Sequence, residues 1–92
     1  MILRFACEYT EEFFHTGKSR RFQAIAKVAQ RKLDQLHVAD ELTDLTVPPG
    51  NRLEALSGNR RGQHSIRIND QWRVCFMWQD GHATQVAIVD YH

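Results

Sequence analysis

The chain ends in three side chains that can hold or move protons, Asp90, Tyr91 and His92, directly after an apolar run at residues 86–89. A terminus that simply frays more often carries lysine, glutamate or serine, so this ending indicates a role. The strand-like segments upstream carry four arginines: Arg60, Arg61, Arg67 and Arg73. A guanidinium can hold two phosphate oxygens at once. Acid–base groups together with arginines therefore predict a phosphodiester substrate.

Cleavage of RNA without a metal needs a base for the ribose 2′-hydroxyl, a grip on the phosphate, a counter-charge and an acid for the leaving 5′-oxygen. An imidazole with its ordinary pKa of about 6.5 can be acid or base at neutral pH, which suits His92. Asp90 can orient that imidazole or accept a proton, and Tyr91 can stack on a base or donate a hydrogen bond. Arg73 can stabilise the charged phosphorane, and Glu54 can act as the general base.

Each of these residues also has a plainer interpretation. The last three residues can form a solvated tail, and Glu54 can be an exposed strand carboxylate. The arginines can be ordinary exposed positions or partners of acidic side chains on the helices. A metal site is a further alternative that no ligand spacing supports. Its ligands would be Asp80, His82, Asp90 and His92.

Size and charge set limits on the function. The 92 residues suffice for one compact domain, predicted to span residues 1–92. The formal net charge is only +1, so total charge does not indicate a nucleic-acid binder. Residues 51–73, however, are rich in arginine and contain only Glu54 and Asp70 as acids. This local excess favours an anionic partner.

Cysteine usage and hydropathy predict the compartment. Cys7 and Cys75 are far apart in sequence and match no metal-ligand spacing, so free thiols in a reducing cytosol are expected. No apolar run approaches the roughly 20 residues that span a bilayer, and no signal-peptide core opens the chain. We therefore predict a cytoplasmic protein that makes no membrane contact.

Helical periodicity marks the first half of the chain. Thr10 is predicted to cap a short helix over residues 11–14 that Gly17 ends, and Ser19 to cap a longer one. Apolar residues recur at helical spacing in the longer helix: Phe22, Ile25, Ala26, Ala29, Leu33 and Leu36.

Strand patterns and turn residues mark most of the remainder. We predict strands at residues 1–6, 53–56, 63–68, 71–79 and 83–90. Asp80-Gly81 is a strong hairpin signal. Helices followed by a meander predict an α+β fold, with two N-terminal helices on one face of a mainly antiparallel sheet of four to five strands.

Alternation along the strands predicts which residues the helices leave uncovered. The third strand places its apolar residues on one side, and these should meet the helices: Trp72, Val74, Phe76 and Trp78. Arg67 and Arg73 then lie on the opposite face, where a ligand can bind. The same alternation separates Tyr91 from Asp90 and His92, unless the chain twists as it leaves the sheet.

Two segments resemble the HigB-type toxins of the RelE superfamily. They are residues 53–76, which read LEALSGNRRGQHSIRINDQWRVCF, and the closing residues 89–92, VDYH. More narrowly, they resemble the GraT toxins of pseudomonads, which affect growth rate. The resemblance covers nearly the whole chain and is densest at residues 51–78 and at the carboxyl end. The combined pattern is much more specific than any part of it.

The resemblance implies a microbial-ribonuclease or RelE-like fold and a toxin of a type II toxin–antitoxin system. Such toxins enter the ribosomal A site and cleave messenger RNA without a metal or other cofactor. The implied partners are a helix-turn-helix antitoxin of the HigA type, the 70S ribosome with its mRNA, and operator DNA through the antitoxin alone. Asp90, Tyr91 and His92 match the catalytic trio of the family, and Arg73 matches its phosphate-stabilising arginine.

Two positions depart from the family pattern. Glu54 stands where well-studied relatives carry a catalytic histidine, so the general base is either Glu54 or His92. Ser57 stands where a lysine is found, which weakens the expected grip on RNA. The RNA-binding residues are then expected to be Arg60, Arg61 and Arg67. A non-catalytic RNA- or ribosome-binding inhibitor of translation is the alternative function.

Overall fold

The structure, a computed structural model, describes residues 1–91, so His92 lies outside the described residues. Its helices are α1, Glu8–Thr16, and α2, Ala26–Val38, and its strands are β1, Glu54–Ala55, β2, Gln63–Arg67, β3, Trp72–Gln79, and β4, His82–Asp90. Short 3-10 helices cover Gln23–Ile25, Leu42–Thr46, Pro49–Asn51 and Gly58–Arg60. The strands form one four-stranded sheet in the order β1-β2-β3-β4, and every neighbouring pair is antiparallel. The predicted α+β architecture is confirmed.

Helix α1 begins earlier than the sequence suggested. Its N-cap is Cys7, and acidic Glu8 and Glu11 in its first turn suit the positive end of the helix dipole. The prediction that Thr10 caps the helix is wrong, because Thr10 is buried inside it. Its hydroxyl oxygen accepts a hydrogen bond from the backbone amide of Ile88, at 3.0 Å. Gly17 ends the helix as predicted, with φ of 73°.

Helix α2 supplies the apolar side that the periodicity predicted. Ala29, Leu33 and Leu36 are fully buried in one core with Phe13 of α1 and Phe76 of β3. The prediction that Ser19 caps this helix is wrong, because the N-cap of α2 is Ile25 and no side chain of the described residues caps it. The hydroxyl oxygen of Ser19 instead accepts a hydrogen bond from the Phe22 amide at 3.3 Å, in the turn before the 3-10 helix Gln23–Ile25. Both helices thus pack on the same face of the sheet.

The register of the sheet defines two faces, because residues directly opposite each other in antiparallel strands share a side. The core face contains Ile66, Val74 and Ile88 in one row across β2, β3 and β4. The arginine face contains Ser65, Arg67, Arg73 and Cys75, together with Tyr91 just beyond β4. The predicted placement of Arg67 and Arg73 opposite the helices is confirmed.

A tight turn joins β3 to β4, and a bulge shifts their register by one residue between Cys75 and Met77. Asp80 and Gly81 both have positive φ, 53° and 81°, as the two-residue turn of a twisted hairpin requires. Gln85, with φ of 52°, is the extra residue of a bulge in β4. Residues 1–6 were predicted to form an edge strand, but they make only two isolated parallel bridges to β4, Ile2 with Ala83 and Phe5 with Val86.

Candidate active site

Arg73 is the centre of the site. It lies in the middle of the arginine face yet is only 9% exposed. Its Nε donates to the hydroxyl oxygen of Ser65 at 2.7 Å, its Nη2 donates to the backbone carbonyl of Arg52 at 2.6 Å, and its Nη1 lies 3.5 Å from a carboxylate oxygen of Glu54. A guanidinium has five N–H donors, so these contacts fix it and still leave donors for a phosphate.

The loop before β1 supplies the carbonyl that holds Arg73. Arg52 follows the 3-10 helix Pro49–Asn51 and has φ of 45° and ψ of 56°, the left-handed conformation. This conformation costs a non-glycine residue roughly 1–2 kcal/mol. Contacts of the residues around Arg52 must offset that cost. The backbone is therefore held so that its carbonyl oxygen points at the guanidinium.

Tyr91 completes one side of the site. Its ring centroid lies 5.8 Å from the Arg73 guanidinium carbon, and its amide donates to the Gln71 carbonyl at 2.6 Å, which continues the sheet past β4. The hydroxyl oxygen lies 3.7 Å from the sulfur of buried Cys75. Tyr91 is 44% exposed, but burial of part of its side chain raises its pKa, and the hydrogen bond with Cys75 raises it further. Tyr91 is thus a neutral phenol at neutral pH and can donate a hydrogen bond.

Glu54 combines access to solvent with a fixed charge partner. Its side chain is 53% exposed, compared with 10% for the side chain of Arg73, and it pairs with Ser65 across β1 and β2. A carboxylate there can hold the arginine or accept a proton from a substrate that approaches from solvent. The structure therefore brings Glu54, Arg73 and Tyr91 together.

Asp90 lies on the other side of the strand from Tyr91, as the alternation predicted. It stands opposite Trp72 across β3 and β4, and its carboxylate accepts a hydrogen bond from the Gln71 side chain at 3.1 Å. His92, the third residue of the predicted trio, lies outside the described residues. The two described residues of the trio, Asp90 and Tyr91, thus lie on opposite sides of the sheet at its end.

The three arginines predicted to bind RNA have different surroundings. Half-buried Arg60 donates to the Gln63 side chain at 3.3 Å, and its positive charge acts on the Tyr91 phenol. Arg61 is exposed and directly follows the 3-10 helix Gly58–Arg60. Arg67 is the cross-strand neighbour of Arg73 and forms an ion pair with Asp70. Arg60 is thus near the site, whereas Arg67 already has a counter-charge.

Three groups at the site were missed as functional residues at the sequence level: the Ser65 hydroxyl, the Arg52 carbonyl and the Cys75 thiol. Alternation already placed Ser65 and Cys75 on the face of Arg67 and Arg73, so the signal existed for those two. The Arg52 carbonyl could not be found in this way, because a left-handed residue in a loop has no periodic pattern. Only the folded loop brings it to Arg73.

Other possible sites lie elsewhere or are not formed. Among residues 1–91, no three side chains of His, Cys, Asp or Glu are grouped so that they could hold a metal ion. The helices described within that range are all too short or too polar to cross a membrane. Two surface cavities, of about 420 and 320 Å³, lie beside the connection between α1 and α2, and Lys18, Ser19 and Arg20 line both.

Comparison with known proteins gives a family by sequence and a shared fold by structure. Residues 3–92 match the family described as the RelE-like toxin of type II toxin–antitoxin system HigB. Toxin HigB-1 of Vibrio cholerae serotype O1 is 42% identical over 85 residues, which cover 90% of each chain.

Solved structures share the fold. The toxin–antitoxin complex of YoeB and YefM from Staphylococcus aureus matches with a TM-score of 0.63 at 22% identity, over 100% of this chain and 98% of that chain. The YoeB dimer of the same organism matches with a TM-score of 0.56 at 22% identity, over 99% and 97%. With a match along almost its full length and this close relative, the chain belongs to the HigB-like, RelE-like toxins of type II toxin–antitoxin systems.

Proposed function

We propose that this toxin is a ribosome-dependent, metal-independent endoribonuclease that cleaves messenger RNA in the ribosomal A site and so inhibits translation and growth. The observation that carries the proposal is the fixed guanidinium of Arg73, with Tyr91 and Glu54 beside it on the arginine face. A preorganised cation in a largely buried position stabilises a developing phosphorane without the cost of reorganisation. The narrower likeness to the GraT toxins stays a prediction.

The residues suit attack by the ribose 2′-hydroxyl on the neighbouring phosphate. Glu54 or His92 takes the proton of the hydroxyl, and the oxygen forms a bond to phosphorus while the bond to the 5′-oxygen breaks. Arg73 neutralises the charge on the phosphate oxygens, and Tyr91 stacks or donates a hydrogen bond. When Glu54 is the base, His92 supplies the proton for the leaving 5′-oxygen, with Asp90 orienting it or handling the proton with it. When His92 is the base, the proton that it takes from the 2′-hydroxyl is the one passed on to the 5′-oxygen. The products are a 2′,3′-cyclic phosphate end, which water can open to a 3′-phosphate, and a free 5′-hydroxyl.

The ribosome supplies what this open site lacks. Glu54 and Tyr91 are both well exposed, and the described cavities lie elsewhere, so the protein alone does little to orient an RNA strand. Orientation of the reacting groups can account for several kcal/mol of a barrier. We propose that Arg60, Arg61 and Arg67 bind phosphates of the mRNA or of ribosomal RNA, and that free RNA is cleaved poorly.

The same proposal includes the partners and the compartment. Residues 1–92 act as one toxin domain in the cytoplasm, away from membranes. A cognate helix-turn-helix antitoxin of the HigA type neutralises it, and operator DNA is bound only through that antitoxin. Support comes from the family and from the YoeB–YefM complex, in which a protein of the same fold is bound to its antitoxin. Co-expression of the adjacent antitoxin gene should restore growth.

The decisive experiment uses purified toxin with 70S ribosomes programmed with a defined mRNA. We expect cuts within the A-site codon, with ends that accept ligation only after removal of a cyclic or 3′-phosphate. A metal-dependent nuclease usually leaves a 3′-hydroxyl, so its RNA ends would accept ligation without any such treatment. Deletion of His92 should abolish the cuts. Toxin that binds ribosomes and stops translation while the mRNA stays intact would instead establish the non-catalytic alternative.

A further inference from the structure

Lys32 is a buried charged group that the proposed reaction does not use. It lies in α2 and is only 8% exposed. Within residues 1–91 it has no carboxylate partner, and its ammonium donates to the side-chain oxygen of Asn51 at 2.5 Å. Burial, followed by the charges of Arg31 and Arg67, lowers the pKa of Lys32. An apolar side chain of similar length would avoid these costs, so stability alone does not explain the lysine.

Both the oxygen and the nitrogen of the Asn51 side-chain amide form hydrogen bonds, and the oxygen is the one that Lys32 contacts. It is fully buried, and its side-chain nitrogen donates to the carbonyls of Leu45 and Val47, at 3.1 and 3.4 Å, and to the side-chain oxygen of Gln35, at 3.0 Å. The backbone of Asn51 donates to the Pro48 carbonyl at 2.9 Å. The side chain therefore ties the loop before β1 to helix α2.

The residue after Asn51 is Arg52, whose carbonyl holds Arg73. Its left-handed backbone is joined to Asn51 by one planar peptide, and its amide donates to the Pro49 carbonyl at 3.1 Å. A small rotation at Asn51 would carry the Arg52 carbonyl away from the guanidinium of Arg73, whose Nη2 now donates a hydrogen bond to it at 2.6 Å. The position of the arginine thus depends on a contact in the helical layer.

We infer that Lys32 and Asn51 are positioning residues, which set the Arg52 carbonyl and through it the guanidinium of Arg73. This inference rests on the proposed function where activity is measured, but its structural part does not. It explains why a lysine and an asparagine, rather than two apolar residues, join α2 to the loop. Neither residue touches the RNA, so substrate binding should be affected much less than the chemical step.

The test replaces Lys32 by methionine, which keeps the length of the side chain and removes its donor. On programmed ribosomes, Lys32→Met should lower kcat roughly ten- to a hundredfold, the effect of a displaced reacting group, and leave KM within about twofold. Lys27→Met is the matched control, because Lys27 is exposed on the same helix, and it should change neither constant.

A double-mutant cycle separates positioning from a general loss of structure. In an Arg73→Ala background, Lys32→Met should reduce the remaining activity by less than about twofold, because its effect acts through Arg73. If Lys32→Met lowered the activity by the same factor in the Arg73→Ala background as in the wild type, the inference would be contradicted. Thermal unfolding of each variant checks that the chain is folded at the assay temperature. If Lys32→Met fails that check, Lys32→Gln, which is too short to reach Asn51, replaces it with the same expected outcomes.

A readout without RNA distinguishes failure of this inference from failure of the proposed function. The Nε–H of Arg73, assigned by its loss in Arg73→Ala, should exchange slowly with solvent because it donates to buried Ser65. Its exchange should become at least about tenfold faster in Lys32→Met and stay unchanged in Lys27→Met. A wild-type chain that cleaves nothing, yet shows this difference, refutes the nuclease proposal alone. Unchanged exchange and unchanged kcat in Lys32→Met overturn the inference.

Discussion

The two faces of the sheet are both buried near its centre, but by different means. On the core face, Phe76 is covered by the apolar sides of α1 and α2. On the arginine face, Cys75 and Arg73 are covered by the loop before β1, by Glu54 and by Tyr91, through polar contacts. The first kind of burial is non-directional and tolerates small shifts. The second depends on individual hydrogen bonds, each with a required geometry.

This difference assigns stability to one face and function to the other. A core side chain contributes through the area it removes from water, whereas the Arg73 contacts cost desolvation and contribute a defined orientation. Mutations should therefore divide by face. Changes on the core face should lower the free energy of unfolding, and changes on the arginine face should lower the rate of cleavage with a smaller effect on stability.

Phe76 and Cys75 test this division most directly, because they are consecutive, fully buried and on opposite faces. Phe76→Ala should lower the free energy of unfolding by about 3–5 kcal/mol, through lost apolar burial and the cavity left behind. Cys75→Ala should cost only about 1 kcal/mol, because it removes a single small group. Urea denaturation measures both values. Equal losses would show that the two faces are stabilised in the same way.

Arg73 and Arg67 sharpen the comparison within the arginine face. Arg73→Ala should reduce cleavage on programmed ribosomes by roughly 10²–10³-fold, the effect of losing one preorganised donor group. Arg67→Ala should reduce it by about fivefold or less, because Arg67 is already paired with Asp70 at the surface. The rate of single-turnover cleavage measures both. Similar losses for the two arginines would remove Arg73 from its central place in the site.

The sequence carried enough information for the two faces but not for the contacts that make the site. Alternation along β3 placed Arg73 opposite the helices, since the period of a strand is set by the backbone itself. It did not predict that Arg73 is buried, because the Arg52 carbonyl reaches it from a loop with no repeating pattern. Thr10 failed as a predicted cap for a related reason. A threonine that suits a helix start by local rules is used here for a contact with Ile88, distant in sequence.

Thr10, in α1, allows a polar contact with the core side of the sheet to be tested. Thr10→Val keeps the shape of the side chain but leaves the buried amide of Ile88 without its acceptor, which should cost about 1–3 kcal/mol. Thr16→Val is the control, because the hydroxyl of Thr16 makes its hydrogen bonds in an exposed position at the end of α1. It should cost no more than about 0.5 kcal/mol. Denaturant unfolding should separate the two variants, and equal values would contradict a role for Thr10 beyond its helix.

The free energy of unfolding at alkaline pH should show that Cys75 is buried on the arginine face. Burial raises the pKa of Cys75 above its ordinary value of 9.0, so the folded chain holds a proton that the unfolded chain releases. The stability that this thiol contributes is fully present below pH 9 and is lost as pH rises above it, by at most about 1.4 kcal/mol per pH unit. The raised pKa of Tyr91 acts with the same sign and depends in part on Cys75, so it belongs to the same effect. The lowered pKa of Lys32 acts with the opposite sign and is shared by all variants compared.

Cys75→Ala should therefore lose less stability between pH 9 and 10 than the wild type, and Cys7→Ala, at a partly exposed thiol, should lose as much as the wild type. Urea denaturation at each pH measures the difference, in which the Lys32 contribution cancels. Parallel curves for all three proteins would mean that Cys75 ionises as readily in the folded chain as in the unfolded one. The arginine face would then be open to water beneath Tyr91, and the polar contacts there could not hold Arg73 as firmly as the core face holds Phe76.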